Sequence, residues 1–222
     1  RISSATAGND HRLGADEAPP AVISIFLGDE LTAIIEALET NSHYDPMEKT
    51  QLQLGVDTLP PLPKDNTDRN RTSPFAFTGN KFEFRMLGSS ASVAGPNTTL
   101  NTAVAEVLSG FADELEKATD FETELHDLIK RTIKAHKRII FNGNGYDDAW
   151  IFEAEKRGLL NMKTTPDALP SLIAEKNIEL FTAHKVYSLE ELKARYEILS
   201  ENYCKVINIE ALTMLDMVNK DI

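Results

Sequence analysis

An α+β fold, with a few antiparallel strands followed by a mainly helical C-terminal segment, is what three features of this sequence predict. Charged and apolar residues alternate strictly through Lys81-Phe82-Glu83-Phe84-Arg85-Met86, the period-2 signature of a strand with two unlike faces. Phe75-Ala76-Phe77 precedes it across the turn signal Thr78-Gly79-Asn80, so the two runs read as a hairpin. From about residue 99 onward the apolar residues recur at helical spacing instead. A chain of 222 residues suffices for one sizeable core, with perhaps an appendage.

Residues 1 to 20 read as loop, punctuated by Gly8-Asn9-Asp10, Gly14 and Pro19-Pro20. Ala21-Val22-Ile23-Ser24-Ile25-Phe26 is a β-branched run that fits a buried strand or a short helix. Asp29 to about Thr40 reads as a helix, with Leu31, Ile34, Ile35 and Leu38 on one face. Residues 41 to 69 are polar and proline-punctuated, a long surface loop or insertion. After the hairpin, residues 88 to 97 are small and polar and read as loop.

Leu100, Val104, Val107, Leu108, Phe111 and Leu115 mark the first long helix; Leu125, Leu128, Ile129, Ile133 and Ile140 mark the next. Asn142-Gly143-Asn144-Gly145 interrupts the pattern before a shorter helix around Trp150. Thr165-Pro166-Asp167 has the order of an N-cap followed by a first-turn proline. Ser188-Leu189-Glu190-Glu191 is a capping box opening a helix of about 30 residues. Its stripe runs through Leu192, Tyr196, Leu199, Tyr203, Val206 and Leu212. A helix that long packs against others of its own chain or of a partner subunit.

The composition narrows the function. A formal charge of −12 repels nucleic acid, and Lys130, Arg131, Lys134, Lys137 and Arg138 alternate with isoleucines as the wet face of a helix. No apolar run of about 18 residues spans a membrane, and no secretory signal is visible. Cys204 is the only cysteine, which rules out an internal disulfide and fits a reducing, cytoplasmic compartment. The chain starts at Arg1 and stops within an apolar-periodic segment at Ile222, so both ends read as cut from a longer protein.

On the charged face of the hairpin, Lys81, Glu83 and Arg85 would stand in a row, each roughly 7 Å from the next. A carboxylate between two cations can hold a metal ion while its neighbours bind phosphate or carboxylate oxygens. The same row is also what a solvated hairpin face with cross-strand pairs looks like. Taken alone, Glu17 and Arg12 read as surface side chains and Asn70-Arg71 as the start of a strand. His11 reads as structural, and His43, His126, His136 and His184 lack metal-ligand spacing and read as solvent-facing. Trp150, Tyr196 and Tyr203 read as packing residues.

Three islands occur in order: His11-Arg12-Leu13-Gly14 with Glu17-Ala18-Pro19, then Asn70-Arg71-Thr72-Ser73, then Lys81-Phe82-Glu83-Phe84-Arg85. Together they resemble the C-terminal half of the glutamine synthetase catalytic domain. The likeness is closest to the long type III subfamily, whose character shows in residues 9–14, 70–85 and 142–146. It covers essentially the whole chain. The resemblance implies a catalytic part over 1–98, with an insertion at about 28–69, and a truncated helical segment over 99–222.

It also implies an ATP-dependent ligase joining glutamate and ammonia through γ-glutamyl phosphate, in a ring of like subunits. Within that reading Glu83 is a ligand of Mg²⁺ or Mn²⁺, and Arg12 and Arg85 bind the glutamate carboxylates. Arg71 sits at the transferred phosphoryl group, Lys81 takes an arginine's place at the nucleotide phosphates, and Glu17 is a mobile flap carboxylate and base. Ala76 stands where most relatives carry another arginine, and the stretch from Glu17 to Asn70 is longer than in short relatives. The remaining metal ligands are expected upstream of Arg1, so residues 1–222 alone are expected to be inactive. A ligase for glutamate and another amine shares these motifs, and a non-catalytic helical assembly module over 100–222 is the reading without chemistry.

Overall fold

The computed structural model describes residues 7–13, 18, 21–45, 51–52, 62–63, 73–89 and 91–221, with 51–52 and 62–63 described by backbone pairing alone. Strand β1 (Ile25–Phe26) and helix α2 (Asp29–Thr40) follow a short first helix, α1 (Ala7–Asp10), within the stretch read as loop. Two further strands, β2 (Gln51–Leu52) and β3 (Leu62–Pro63), form a small antiparallel ladder inside the expected insertion. The hairpin appears where the alternation places it, as β4 (Phe75–Phe77) and β5 (Phe82–Phe84). The Thr78 amide donates to the Lys81 carbonyl at 2.9 Å across the turn, and Gly79 there takes φ 96°, a left-handed angle that suits glycine.

The three-stranded sheet has the order β1-β4-β5. Its pairing is mixed rather than all antiparallel: β4 and β5 are antiparallel, whereas β1 and β4 run parallel, Ile25 beside Phe75 and Phe26 beside Ala76. Parallel neighbours need a long crossover, and the segment containing α2 and residues 41–69 supplies it. β1 is shorter than the run from Ala21 to Phe26 because Val22 bridges instead to Asn161, on the C-terminal side.

The helical part contains α3 (Ala94–Leu115), α4 (Phe121–His136), α5 (Asp148–Lys156), α6 (Thr165–Ala168), α7 (Glu175–Ala183) and α8 (Leu189–Asp221), with a 3-10 turn at Leu169–Ile173. The capping box before α8 forms as read: Ser188 N donates to Glu191 at 2.8 Å and Glu191 N to the Ser188 hydroxyl at 3.2 Å. At α6 the cap lies one residue earlier than expected. Thr164 closes the box with Asp167, because Thr165 donates its amide and hydroxyl to Asp10 at 2.7 and 2.8 Å.

Several small apolar clusters replace one continuous core. Leu13, Ala18, Ala21 and Met86 pack at the end of β5; Val22, Trp150 and Ala154 pack with Phe141 and Leu159; Leu172, Phe181 and Leu192 join α7 to the start of α8. Trp150 stacks on Phe141 with ring centroids 3.7 Å apart, so it is a packing residue as read. The α8 stripe is covered only over its first half. Leu192 is buried, but Val206, Leu212, Met214, Leu215 and Met217 are exposed. Among the described residues no helix is long and apolar enough to cross a membrane.

The Asn142 break does more than end a helix. Its Oδ1 accepts from the Leu27 and Gly28 amides at 3.0 and 3.1 Å, and its Nδ2 donates to the Thr32 hydroxyl at 2.7 Å. One side chain thus satisfies amides at the start of α2 from more than 100 residues away and ties the helical part to the sheet. Asn142→Ala leaves those amides without their acceptor and is expected to lower stability by about 1–3 kcal/mol, read as an earlier urea midpoint.

Candidate functional site

Cross-strand register decides what each face of the hairpin carries. Directly opposed residues share a face, so Phe75, Phe77, Phe82 and Phe84 lie on one side and Ala76 and Glu83 on the other. The aromatic side is held by ring contacts: Phe82 lies 5.5 Å from Phe75 and 5.3 Å from Phe77, centroid to centroid. Met86 is fully buried and Phe84 partly so, as the alternation predicts. Phe82 departs from the expectation, being 48% exposed. It sits beside the hairpin turn, where its described ring partners cover only part of it.

On the opposite side the predicted row is present as an ion triad. Lys81 Nζ lies 3.2 Å from Glu83 Oε1, while Arg85 reaches Glu83 Oε2 through Nη2 at 3.1 Å and Nε at 3.3 Å. Across the ladder the residue opposite Glu83 is Ala76, small and wholly buried. Exposure is graded along the row: Lys81 is open, Glu83 intermediate, and the Arg85 side chain only 12% exposed.

The Glu83 carboxyl is held below its ordinary range, first by the Arg85 hydrogen bond and then by the one from Lys81. Because the folded value is depressed, the triad contributes stability above the unfolded pKa and loses it as pH falls through the lowered value. At neutral pH the group is an ionised carboxylate with partly exposed oxygens.

Arg12 follows α1 and points back to the same strand. Its Nη2 donates to the Met86 carbonyl at 2.7 Å, one residue beyond Arg85, and its Nε donates to Asn9 Oδ1 at 3.0 Å. It also lines a cavity of about 510 Å³ whose other walls include His11, Ser89, Thr165, Asn202 and Tyr203. Lys81, Glu83 and Arg85 are not among the residues lining that cavity, so the triad and the open side of Arg12 adjoin through the Met86 backbone rather than through a shared wall. Glu17 and Arg71 lie outside the described residues, as do Asn70 and Thr72. The positions flanking residues 14–17 are placed: Leu13 and Ala18 bridge to each other and pack on Met86.

Among the described residues the histidines form no ligand set. His11, His126 and His136 are exposed, and His43 pairs with Asp45 at 3.3 Å. His184 is half-buried rather than solvent-facing, because it bonds Glu106 on α3 at 2.7 Å. Among the described residues no three histidine, cysteine or acidic side chains come together as a metal site. Of the basic residues on and just after α4, Lys130 donates to the Asn41 amide oxygen, Lys137 pairs with Glu39, and Arg131 pairs with Glu114 and Glu124. Arg131, Lys134, Lys137 and Arg138 are exposed, as the wet face of a helix requires. Asn9, buried between Arg12 and Met86, is the site residue that periodicity could not single out.

Similarities to known proteins bear on this arrangement. The family model described as the glutamine synthetase C-terminal domain matches residues 124–222. A glutamine synthetase of Butyrivibrio fibrisolvens is 49% identical over all of this chain and 32% of its own length. A type-3 glutamine synthetase of Dictyostelium discoideum is 49% identical over 99% of the chain and 30% of its own length. A glutamine synthetase of Bacteroides fragilis is 40% identical over 98% of the chain and 31% of its own. The chain therefore spans about a third of the length of the curated relatives it matches.

Proposed function

Since the chain belongs to the glutamine synthetase family, we propose that it is the part of a glutamate–ammonia ligase that supplies one wall of the active site. In this reading residues 1–98 carry that wall and residues 99–222 are the helical C-terminal segment. The observation that carries it is the Lys81–Glu83–Arg85 triad on one face of the sheet, with an ionised carboxylate between two cations.

Forming an amide from a carboxylate requires a better leaving group than oxide, and a phosphoryl group taken from ATP provides it. Such a transfer depends mainly on positioning and on neutralising charge. Arg85 and Arg12 bind the carboxylates of glutamate, where a planar guanidinium pairs two oxygens at once. Lys81 offers a compact charge to the nucleotide phosphates. Arg71 neutralises the group in transfer. Phosphate then leaves as ammonia attacks the acyl carbon, and Glu17 takes the proton the new amide must lose.

Glu83 fits a hard divalent cation such as Mg²⁺ or Mn²⁺, being ionised and partly exposed, and such an ion supplies further positive charge at the phosphates. It fits as one ligand of several, since the described residues do not complete a set. The uncovered apolar residues along the second half of α8 support contact with further copies of the subunit in a ring.

The test is an assay of the full-length protein with glutamate, ATP and ammonium, in competition with small primary amines. Glutamine and ADP formed in equal amounts, with ammonium preferred, is the expected outcome. Preferential capture of another amine assigns the protein to glutamate–amine ligation instead.

A further inference from the structure

Asn9 is a polar residue in an unusual place. It lies in α1 and is only 2% exposed. Its amide spans two partners: Nδ2 donates to the Met86 carbonyl at 2.8 Å and Oδ1 accepts from Arg12 Nε at 3.0 Å. Arg12 Nη2 donates to that same Met86 carbonyl at 2.7 Å. The three groups therefore close a ring of hydrogen bonds, with Asn9 and Arg12 gripping one acceptor and each other.

We propose that Asn9 is a positioning residue that fixes the Arg12 guanidinium for glutamate. This rests on the reading of Arg12 as a carboxylate-binding group. A guanidinium carries five N–H donors in a rigid plane, and two bonds are enough to fix both its plane and its rotation. Nε and one Nη2 hydrogen are committed to Asn9 and Met86, and the remaining donors can meet a carboxylate side by side. The ring is tied to the strand of the triad, because Met86 follows Arg85 directly. It is also held from behind, since Asp10 accepts both the amide and the hydroxyl of Thr165. An aliphatic residue at position 9 would fill the space but leave Nε without its acceptor, and the long Arg12 side chain would regain rotational freedom.

The experiment is a double-mutant cycle in the full-length protein, reading the KM values for glutamate and ATP separately. Asn9→Ala is expected to raise the glutamate KM about 10-fold, with the ATP KM within about 2-fold of the parent. In an Arg12→Ala background the same change should add nothing to the glutamate KM, because Asn9 acts through Arg12. Asn9→Asp keeps an acceptor for Nε but sets a second acceptor against the Met86 carbonyl, so it should recover only part of the glutamate affinity, again without moving the ATP KM. If Asn9→Ala does not fold, Asn9→Ser is measured instead, since it keeps a polar group in the niche but cannot span both partners. Equal rises in both KM values, or an undiminished effect in the Arg12→Ala background, would make Asn9 a purely structural staple and overturn the inference while leaving Arg12 in its role. An Arg12→Ala variant with an unchanged glutamate KM would overturn the role of Arg12 and the inference with it.

Discussion

Glu17→Gln in the full-length protein slows amide formation by roughly 10²–10⁴-fold, the usual contribution of a positioned base, while phosphoryl transfer to glutamate is largely spared. The reason lies in the order of events. In the proposed mechanism Arg71 and Lys81 neutralise charge while the carboxylate is activated, whereas Glu17 is needed only afterwards, when the nitrogen that has attacked gives up its proton. Ala18, the residue that follows Glu17 in sequence, is buried against Met86, just beyond Arg85. Rapid-quench measurement of acyl phosphate against glutamine separates the two steps. Equal slowing of both would move Glu17 to the nucleotide or the metal.

Glu83→Gln has the second large effect. The amide keeps the shape of the side chain but removes the negative charge that Lys81 and Arg85 enclose, leaving two cations facing a neutral group. Hard divalent ions favour anionic oxygen, and loss even of an outer-shell partner typically costs 10- to 100-fold in metal affinity. The Mg²⁺ concentration for half-maximal activity is therefore expected to rise by at least roughly that factor. Circular dichroism should stay unchanged, because the row lies on a partly open face. An unaltered Mg²⁺ requirement would remove Glu83 from the metal and leave the triad as an ion pair of the surface.

The hairpin was legible because its information is local. Strict alternation from Lys81 to Met86 sets both the strand and the side each residue faces, and Thr78-Gly79-Asn80 sets the turn. The start of α8 was legible for the same reason, since Ser188 and Glu191 cap it within one turn. Other features depend on partners far along the chain. Two adjacent threonines compete to cap α6, and Asp10, more than 150 residues away, decides between them by engaging Thr165. Parallel pairing of β1 with β4 follows from a crossover whose path no local pattern reveals. The exposure of Phe82 depends on what packs over the sheet, which alternation alone does not encode. Within the candidate site, residue types and order pointed to Arg12, Lys81, Glu83 and Arg85. Neither Asn9 nor Asn142 carries a periodic signal, since a single buried amide takes its meaning only from the groups brought to it.

The measurement that tests the central claim most directly is the split between glutamate and ATP affinities in Arg85→Ala. Arg85 is the most buried member of the row, and it approaches Glu83 through both Nη2 and Nε. Removing one charge-assisted contact to a substrate carboxylate costs roughly 1.5–3 kcal/mol, or about 10- to 150-fold in glutamate KM. Lys81 still pairs with Glu83 in this variant, so nucleotide binding should change little. The account predicts a glutamate KM raised within that range beside a nearly unchanged ATP KM. An unchanged glutamate KM with a raised ATP KM would contradict it and move Arg85 to the nucleotide side of the site.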